Sequence, residues 1–200
     1  TLDRNTTPSY SLEVTATDQG TGSLTDMATV EITVNDVNDN APVIQNEPYT
    51  ASLNEDVAID EVIITISATD ADEGINAEME YSITDGNSES KFTIDSNTGE
   101  ITVAQALDYE TTASYTLEVT ASDKGTPVLS DVSTVAITVN DVNDNAPVFQ
   151  GEPYTASIAE DAGTGTSVAT VSSTDSDSGV NSQISYSMGW GSRGGGNCKF

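Results

Sequence analysis

The chain has 200 residues, with 33 Asp plus Glu against 5 Lys plus Arg, no His, a formal net charge of -28 and 36% hydrophobic residues. Such an excess of negative charge is repelled by nucleic acid and by anionic membrane surfaces, and the lack of imidazole removes His-based nucleophile pairs, His-bearing zinc sites and proton shuttling at neutral pH. The single cysteine, Cys198, can form neither an internal disulfide nor a thiolate zinc cage, and no stretch approaches the roughly 18 apolar residues of a membrane span.

The first residues, Thr1-Leu2-Asp3-Arg4, do not form a signal peptide, so the chain is expected to be an internal piece of a longer protein. Asn5-Thr6-Thr7 follows as a glycosylation sequon. High net charge with modest hydrophobicity is also the composition of disordered segments. The residue order argues otherwise, because Val, Ile, Thr and Tyr fall in short alternating runs that suit half-buried strands. The run YSLEVTATD from Tyr10 is one of them. Next comes DVNDNAPV at Asp36 to Val43, which recurs unchanged at Asp141 to Val148, an offset of 105 residues. The same offset carries Leu2-Asp3 onto Leu107-Asp108, Tyr10 onto Tyr115, the EPYTAS run at Glu47 onto that at Glu152, and Asp70, Asp72 and Asn76 onto Asp175, Asp177 and Asn181. One register without gaps means tandem domains of one kind. Pro42 and Pro147 interrupt the strand pattern and mark the boundaries. The expected division is the end of one domain over 1–43, a complete domain over 44–148 and the start of a third over 149–200.

In the complete repeat the alternation predicts seven strands, near Tyr49 to Leu53, Val62 to Ala68, Met79 to Thr84, Phe92 to Ile94, Glu100 to Val103, Tyr115 to Ala121 and Ser133 to Asn140. Tyr115, Leu117, Val119 and Ala121 alternate with Thr116, Glu118 and Thr120, which gives one apolar and one polar face. Seven short strands in about 100 residues predict an all-β fold, tandem Greek-key β-sandwiches of immunoglobulin-like architecture. An odd number of antiparallel strands places the two termini at opposite ends, and this sorts the loops. Asp70 and Asp72, between the second and third strands, and Asp123, between the sixth and seventh, face the preceding domain. Glu55 after the first strand, Asp108 and Glu110 after the fifth, and Asp141 to Asn145 after the last face the following one.

At the second joint this gathers Glu55, Asp108, Glu110, Asp141, Asp144, Asp175 and Asp177. Carboxylates crowded together repel, and hard divalent cations resolve the repulsion. An all-oxygen donor set selects calcium over zinc, copper or nickel, and magnesium is disfavoured by its strict octahedral demand. Asp36, Asn38, Asn40 and Glu47 occupy positions of an EF-hand loop, but Ala41 stands where that loop needs Gly, Pro42 follows, and the flanks are β-branched rather than helical. A carboxylate pair could also be a glycosidase acid and base. Its repetition at every linker argues against an active site, and no catalytic residue is expected.

The ordered set LD-x-E (Leu107 to Glu110), D-x-G (Asp123 to Gly125), DVNDNAP, the glutamates Glu55 and Glu160, and D-x-D followed by G and N (Asp70, Asp72, Gly74, Asn76) resembles tandem cadherin repeats over about 185 residues. The resemblance implies a cadherin-type sandwich with about three calcium ions at each complete joint. At the second joint it implies Glu55, Asp108, Glu110, Asp141, Asp144 and Asp177 with the Val142 carbonyl for two ions. Asn143, Asp175 and Asp177 with the carbonyls of Asn145 and Asn181 would serve the third. At the first joint the matching residues are Asp3, Asp36, Val37, Asn38, Asp39, Asn40, Asp70, Asp72, Asn76 and Asp123. Asp18 belongs to a joint upstream and Glu160 to one downstream. Asn5 stands where the second joint has Glu110, so the joints are expected to be unequal, the first two sites of the first joint binding more weakly.

The function implied is calcium-dependent adhesion by an extracellular, plasma-membrane-anchored ectodomain, with other cadherin ectodomains as homophilic or heterophilic partners. Neither nucleic acid nor direct membrane contact by this segment is expected. The alternative is a calcium-stiffened spacer without its own adhesive surface. Nothing here corresponds to the family's strand-exchange tryptophan. Trp190 and Cys198 lie where the repeat register fails, and Lys199-Phe200 can answer Lys91-Phe92 across a longer loop between the third and fourth strands.

Overall fold

A computed structural model describes residues 2–189. Trp190, Cys198 and the longer loop expected before Lys199-Phe200 lie outside the described residues. In chain order, β1 (Ser9–Thr17) and β2 (Thr25–Thr33) form a hairpin. The complete repeat follows as β3 (Val43–Ile44), β4 (Tyr49–Asn54), β5 (Val62–Thr65), β6 (Ala68–Thr69), β7 (Glu80–Asp85), β8 (Phe92–Ile94), β9 (Glu100–Val103), β10 (Ser114–Ser122) and β11 (Ser130–Asn140), and after it come β12 (Val148–Phe149) and β13 (Ser173–Thr174). Among the described residues there is no α-helix, only a 3-10 turn at Gly74–Ala77.

The complete repeat is a β-sandwich. One sheet has the order β4-β11-β10-β7 and the other β5-β9-β8. Strand alternation explains the core: Leu117, Val119 and Ala121 of β10 and Val135, Ile137 and Val139 of β11 are buried with Phe92, Ile101 and Val103 of the opposite sheet, whereas Thr116 and Glu118 face outward. Phe92 and Tyr115 add an edge-to-face pair with centroids 5.1 Å apart.

The predicted strand at Tyr49 to Leu53 stands as β4, which pairs parallel with β11, while β3 ahead of it, which alternation did not predict, pairs antiparallel with β6. The predicted strand from Val62 to Ala68 is broken into β5 and β6. Val43, placed by the sequence at the end of the preceding domain, pairs with Thr69 of the complete repeat. The cut between β5 and β6 falls at Ile66, whose N–H donates to the carbonyl of Gly99 at 2.9 Å. Gly99 has φ +72 and lies so near Ile66 that a Cβ would meet its carbonyl oxygen at 2.3 Å. The bond from Ile66 to Gly99 is the last step of the β5–β9 register, which ends at the β8–β9 turn, and β6 pairs with β3 instead, a change of sheet invisible to an apolar-alternation reading.

Just before Gly99, Asp95 fixes the β8–β9 turn, accepting from the N–H groups of Asn97 at 2.8 Å and Thr98 at 2.9 Å. These bonds, that from Thr98 foremost, hold its carboxyl below the ordinary value. A depressed folded-state pKa gives stability that is present above the unfolded pKa and lost as pH falls through the folded one. Asp95→Asn is therefore expected to lower the melting temperature at neutral pH, with a deficit that closes in acid. Thermal denaturation of both chains across pH checks this, and a deficit independent of pH would contradict it.

The flanking elements repeat the same geometry. Ser9 pairs with Thr33 and Ser114 with Thr138, so the β1–β2 register is that of β10–β11 shifted by the sequence offset. Likewise β12–β13 repeats β3–β6. Leu12 and Val14 are 46% and 51% exposed, while their counterparts Leu117 and Val119 are at 0%. Among the described residues, no second sheet covers the hairpin.

Candidate metal centre

The backbone topology sends the acidic loops to the two ends of the sandwich, and hydrogen bonds across each joint follow. At the second joint Glu55, directly after β4, is 5% exposed. Its Oε2 accepts from the Tyr109 N–H at 2.6 Å and its Oε1 from the Val142 N–H at 2.8 Å. One carboxylate thereby joins three segments: the end of β4, the Asp108–Glu110 loop and the linker. Asp108 is oriented by Thr111, whose N–H donates at 3.0 Å and whose hydroxyl donates at 2.8 Å. The hydroxyl, then the amide, holds its carboxyl below the ordinary value.

Ligand oxygens of Glu55, Asp108 and Glu110 all lie within 4.8 Å of one another, as do those of Glu110, Asp141 and Asp177. Glu110 is the member common to both groups. Crowding has the expected electrostatic sign. Glu110 is pushed above its ordinary pKa by loss of solvent and then by Glu55 and Asp144, and Asp144 by loss of solvent and then by Glu55, Asp177, Asp108 and Asp141. Asp177, 6% exposed, accepts from the Asn145 N–H at 3.1 Å and Nδ2 at 2.9 Å. Its own N–H donates to Asp175 at 3.0 Å. Asp141 accepts from the Ser178 N–H at 3.2 Å and from Asn181 Nδ2 at 2.8 Å. Asn143 is exposed.

The first joint repeats part of this arrangement. Asp72, 6% exposed, accepts from the Asn40 N–H at 3.1 Å and Nδ2 at 2.6 Å, and its N–H donates to Asp70 at 2.9 Å. Asp36 accepts from the Glu73 N–H at 2.9 Å and Asn76 Nδ2 at 3.0 Å. Asp39 accepts from Asn40 Nδ2 at 2.8 Å, and its N–H donates to the Val37 carbonyl at 2.9 Å. Thr6 holds Asp3 as Thr111 holds Asp108, through its hydroxyl at 2.6 Å and its N–H at 3.3 Å, and Asp3 is likewise depressed, chiefly by that hydroxyl. Asp123, 2% exposed, takes Asn38 Nδ2 at 3.0 Å, and a Cβ on Gly125 would meet the Asn38 side chain at 2.3 Å. The glycine of the D-x-G motif is therefore where the linker asparagine comes closest.

Among the described residues, three buried side-chain oxygens have no hydrogen-bond partner: Asn38 Oδ1 and Asp70 Oδ2 at the first joint and Asp177 Oδ2 at the second. A buried acceptor left unpaired costs about 1–3 kcal/mol, which a cation bound there would offset. All of the donors are oxygens, so the set fits a hard divalent ion.

Motif reading missed Thr6 and Thr111, which fix the aspartates, and two cross-joint pairs, Arg4 with Glu73 and Tyr109 with Ser178. The signal for the pairs was in the sequence, since the 105-residue offset relates Arg4 to Tyr109 and Glu73 to Ser178.

Residues 49–140 match the family model for the cadherin domain. Over 180 residues, 90% of the chain, it is 47% identical to human protocadherin Fat 1, and it spans 4% of that protein's length. Among solved structures it resembles repeats EC22-24 of mouse cadherin-23, with a TM-score of 0.81 and 36% identity over 92% of the chain and 58% of the other. It also resembles repeats EC3-6 of protocadherin gammaB7, described as a cis-dimer, with a TM-score of 0.74 and 33% identity over 90% of the chain and 45% of the other.

Proposed function

The chain belongs to the cadherin family, and on that premise we propose that it is a segment of an extracellular, membrane-anchored adhesion ectodomain whose joints are stiffened by calcium. The repeat units are those expected from the sequence with each boundary one residue earlier, a shift supported by the pairing of Val43 with Thr69 and of Val148 with Thr174. The observation that carries this reading is the convergence on Glu110 of two oxygen clusters, one from the complete repeat and one spanning the linker and the next repeat.

Glu55, Asp108, Glu110, Asp141, Asp144 and Asp177, with the Val142 carbonyl, hold two ions at the second joint, and Asp175, Asp177 and Asn143 with the Asn145 and Asn181 carbonyls serve a third. The first joint uses Asp3, Asp36, Val37, Asn38, Asp39, Asn40, Asp70, Asp72, Asn76 and Asp123. Bound calcium neutralises the carboxylates and cross-links the two repeats and their linker. The chain's own part is to orient the ligands. Thr111 fixes Asp108, the Tyr109 and Val142 amides fix Glu55, and the buried placement of Asp72, Asp123 and Asp177 keeps competing water from them.

Calcium that binds the native state alone raises stability through mass action, with dissociation constants on the order of 10⁻⁴ to 10⁻³ M for extracellular sites of this kind. Adding millimolar calcium is therefore expected to raise the melting temperature of the complete repeat, and excess chelator to reverse the rise. An unchanged melting temperature would sink the reading. The partners proposed are other cadherin ectodomains, a reading supported by the cis-dimer described for the protocadherin gammaB7 repeats. Bead aggregation with the parent ectodomain, with and without these repeats, separates an adhesive role from that of a spacer.

A further inference from the structure

The two joints close with different side-chain pairs at equivalent positions. At the second joint the Tyr109 hydroxyl meets Ser178 Oγ at 3.4 Å, a long and neutral contact. At the first joint the Arg4 guanidinium, its side chain only 9% exposed, lies between the linker and the next repeat, with Nε 3.4 Å from Asp36 Oδ1 and Nη2 ion-paired with Glu73 Oε1 without a hydrogen bond. Asn5 also takes a hydrogen bond from Arg4, at 3.3 Å, where the second joint has the carboxylate of Glu110. The charges of Arg4, Asn5 and Glu73 cancel, whereas Tyr109, Glu110 and Ser178 carry one negative charge. The first joint thus contains a cation of its own, bound to one carboxylate of the linker and one of the next repeat.

We propose that Arg4 and Glu73 form a calcium-independent latch across the first joint, so that withdrawal of calcium loosens the two joints of this chain to different degrees. The proposal rests on the reading that calcium orders the joints. The latch is modest, because Glu73 is 75% exposed and water and salt screen it.

The backbone amides of Glu73 and Ser178 are equivalent reporters, each donating to the linker aspartate, Asp36 or Asp141. The test is their hydrogen exchange, read by NMR on the full chain, with the amide of Val119 in the core as a control for global unfolding. In calcium both reporters are protected. In chelator, Ser178 loses more protection than Glu73. Arg4→Gln and Glu73→Gln each lower protection at position 73 by about threefold in chelator, a factor suited to an exposed ion pair. The double variant goes no further, and Ser178 and Val119 do not change. Added salt in chelator lowers protection at position 73 in the parent chain by more than in either variant. Equal loss at both reporters in the parent chain, or additive losses in the double variant, would overturn the latch. If calcium leaves Ser178 unaffected, the calcium reading fails instead, and the Arg4→Gln result in chelator still judges the latch.

Discussion

Glu55→Ala is expected to remove the calcium response of the second joint while leaving the first joint's response in place. The carboxylate is 5% exposed and satisfies the N–H groups of Tyr109 and Val142. Truncation leaves two donors without an acceptor and deletes a member of the cluster with Asp108 and Glu110. Hydrogen bonds to a charged acceptor are worth about 1.5–3 kcal/mol each, so calcium-free stability should also fall, by about 2–4 kcal/mol after partial relaxation. Glu55→Gln separates the two effects. It keeps an acceptor for one of the two amides and the shape of the side chain, but it loses the charge. Calorimetry is expected to show at least tenfold weaker calcium binding for Glu55→Gln with a smaller loss of stability. Unaltered binding in both variants would remove Glu55 from the ligand set.

Leu117→Ala is expected to destabilise the complete repeat by about 2–5 kcal/mol, the range for large-to-small changes at fully buried sites. Leu117 is 0% exposed at the centre of β10. That strand runs from the loop bearing Asp108 and Glu110 to the loop bearing Asp123, so one cavity weakens the support of both joints. Saturating calcium should recover part of the loss through binding to the native state. Denaturant unfolding with and without calcium checks both statements. A loss below 1 kcal/mol, or none recovered by calcium, would contradict them.

What could be read from the sequence followed from periodicity. The two-residue alternation in Tyr115 to Ala121 and in Val135 to Val139 places each apolar residue against the opposite sheet, and the 105-residue offset anticipated the shared register of β1–β2 and β10–β11. Strand parity put Glu55 with the Asp108 loop and Asp123 with the linker, and the hydrogen bonds of Tyr109 to Glu55 and Asn38 to Asp123 run accordingly. Short irregular pieces escaped notice. β3 has two residues, too few for any alternation, and the break at Ile66 comes where the chain leaves β9, at the turn bearing Gly99, and pairs with β3 instead. Within the site, motif reading favours carboxylates and passes over what positions them. Thr6 and Thr111 look like ordinary loop residues, and Arg4 inside an acidic motif reads as solvated charge until its side chain is seen buried against Asp36.

Calcium is expected to convert hinged joints into stiff ones, and small-angle scattering of the full chain in millimolar calcium and in excess chelator reads that change directly. Without calcium the carboxylates of Glu110 and Asp144 repel their neighbours, and the joints should bend, giving a smaller maximum dimension and a broader distance distribution. With calcium the chain should lengthen and the distribution narrow, and Glu55→Ala should cancel much of the change. The same maximum dimension and the same distribution in both conditions would contradict the account.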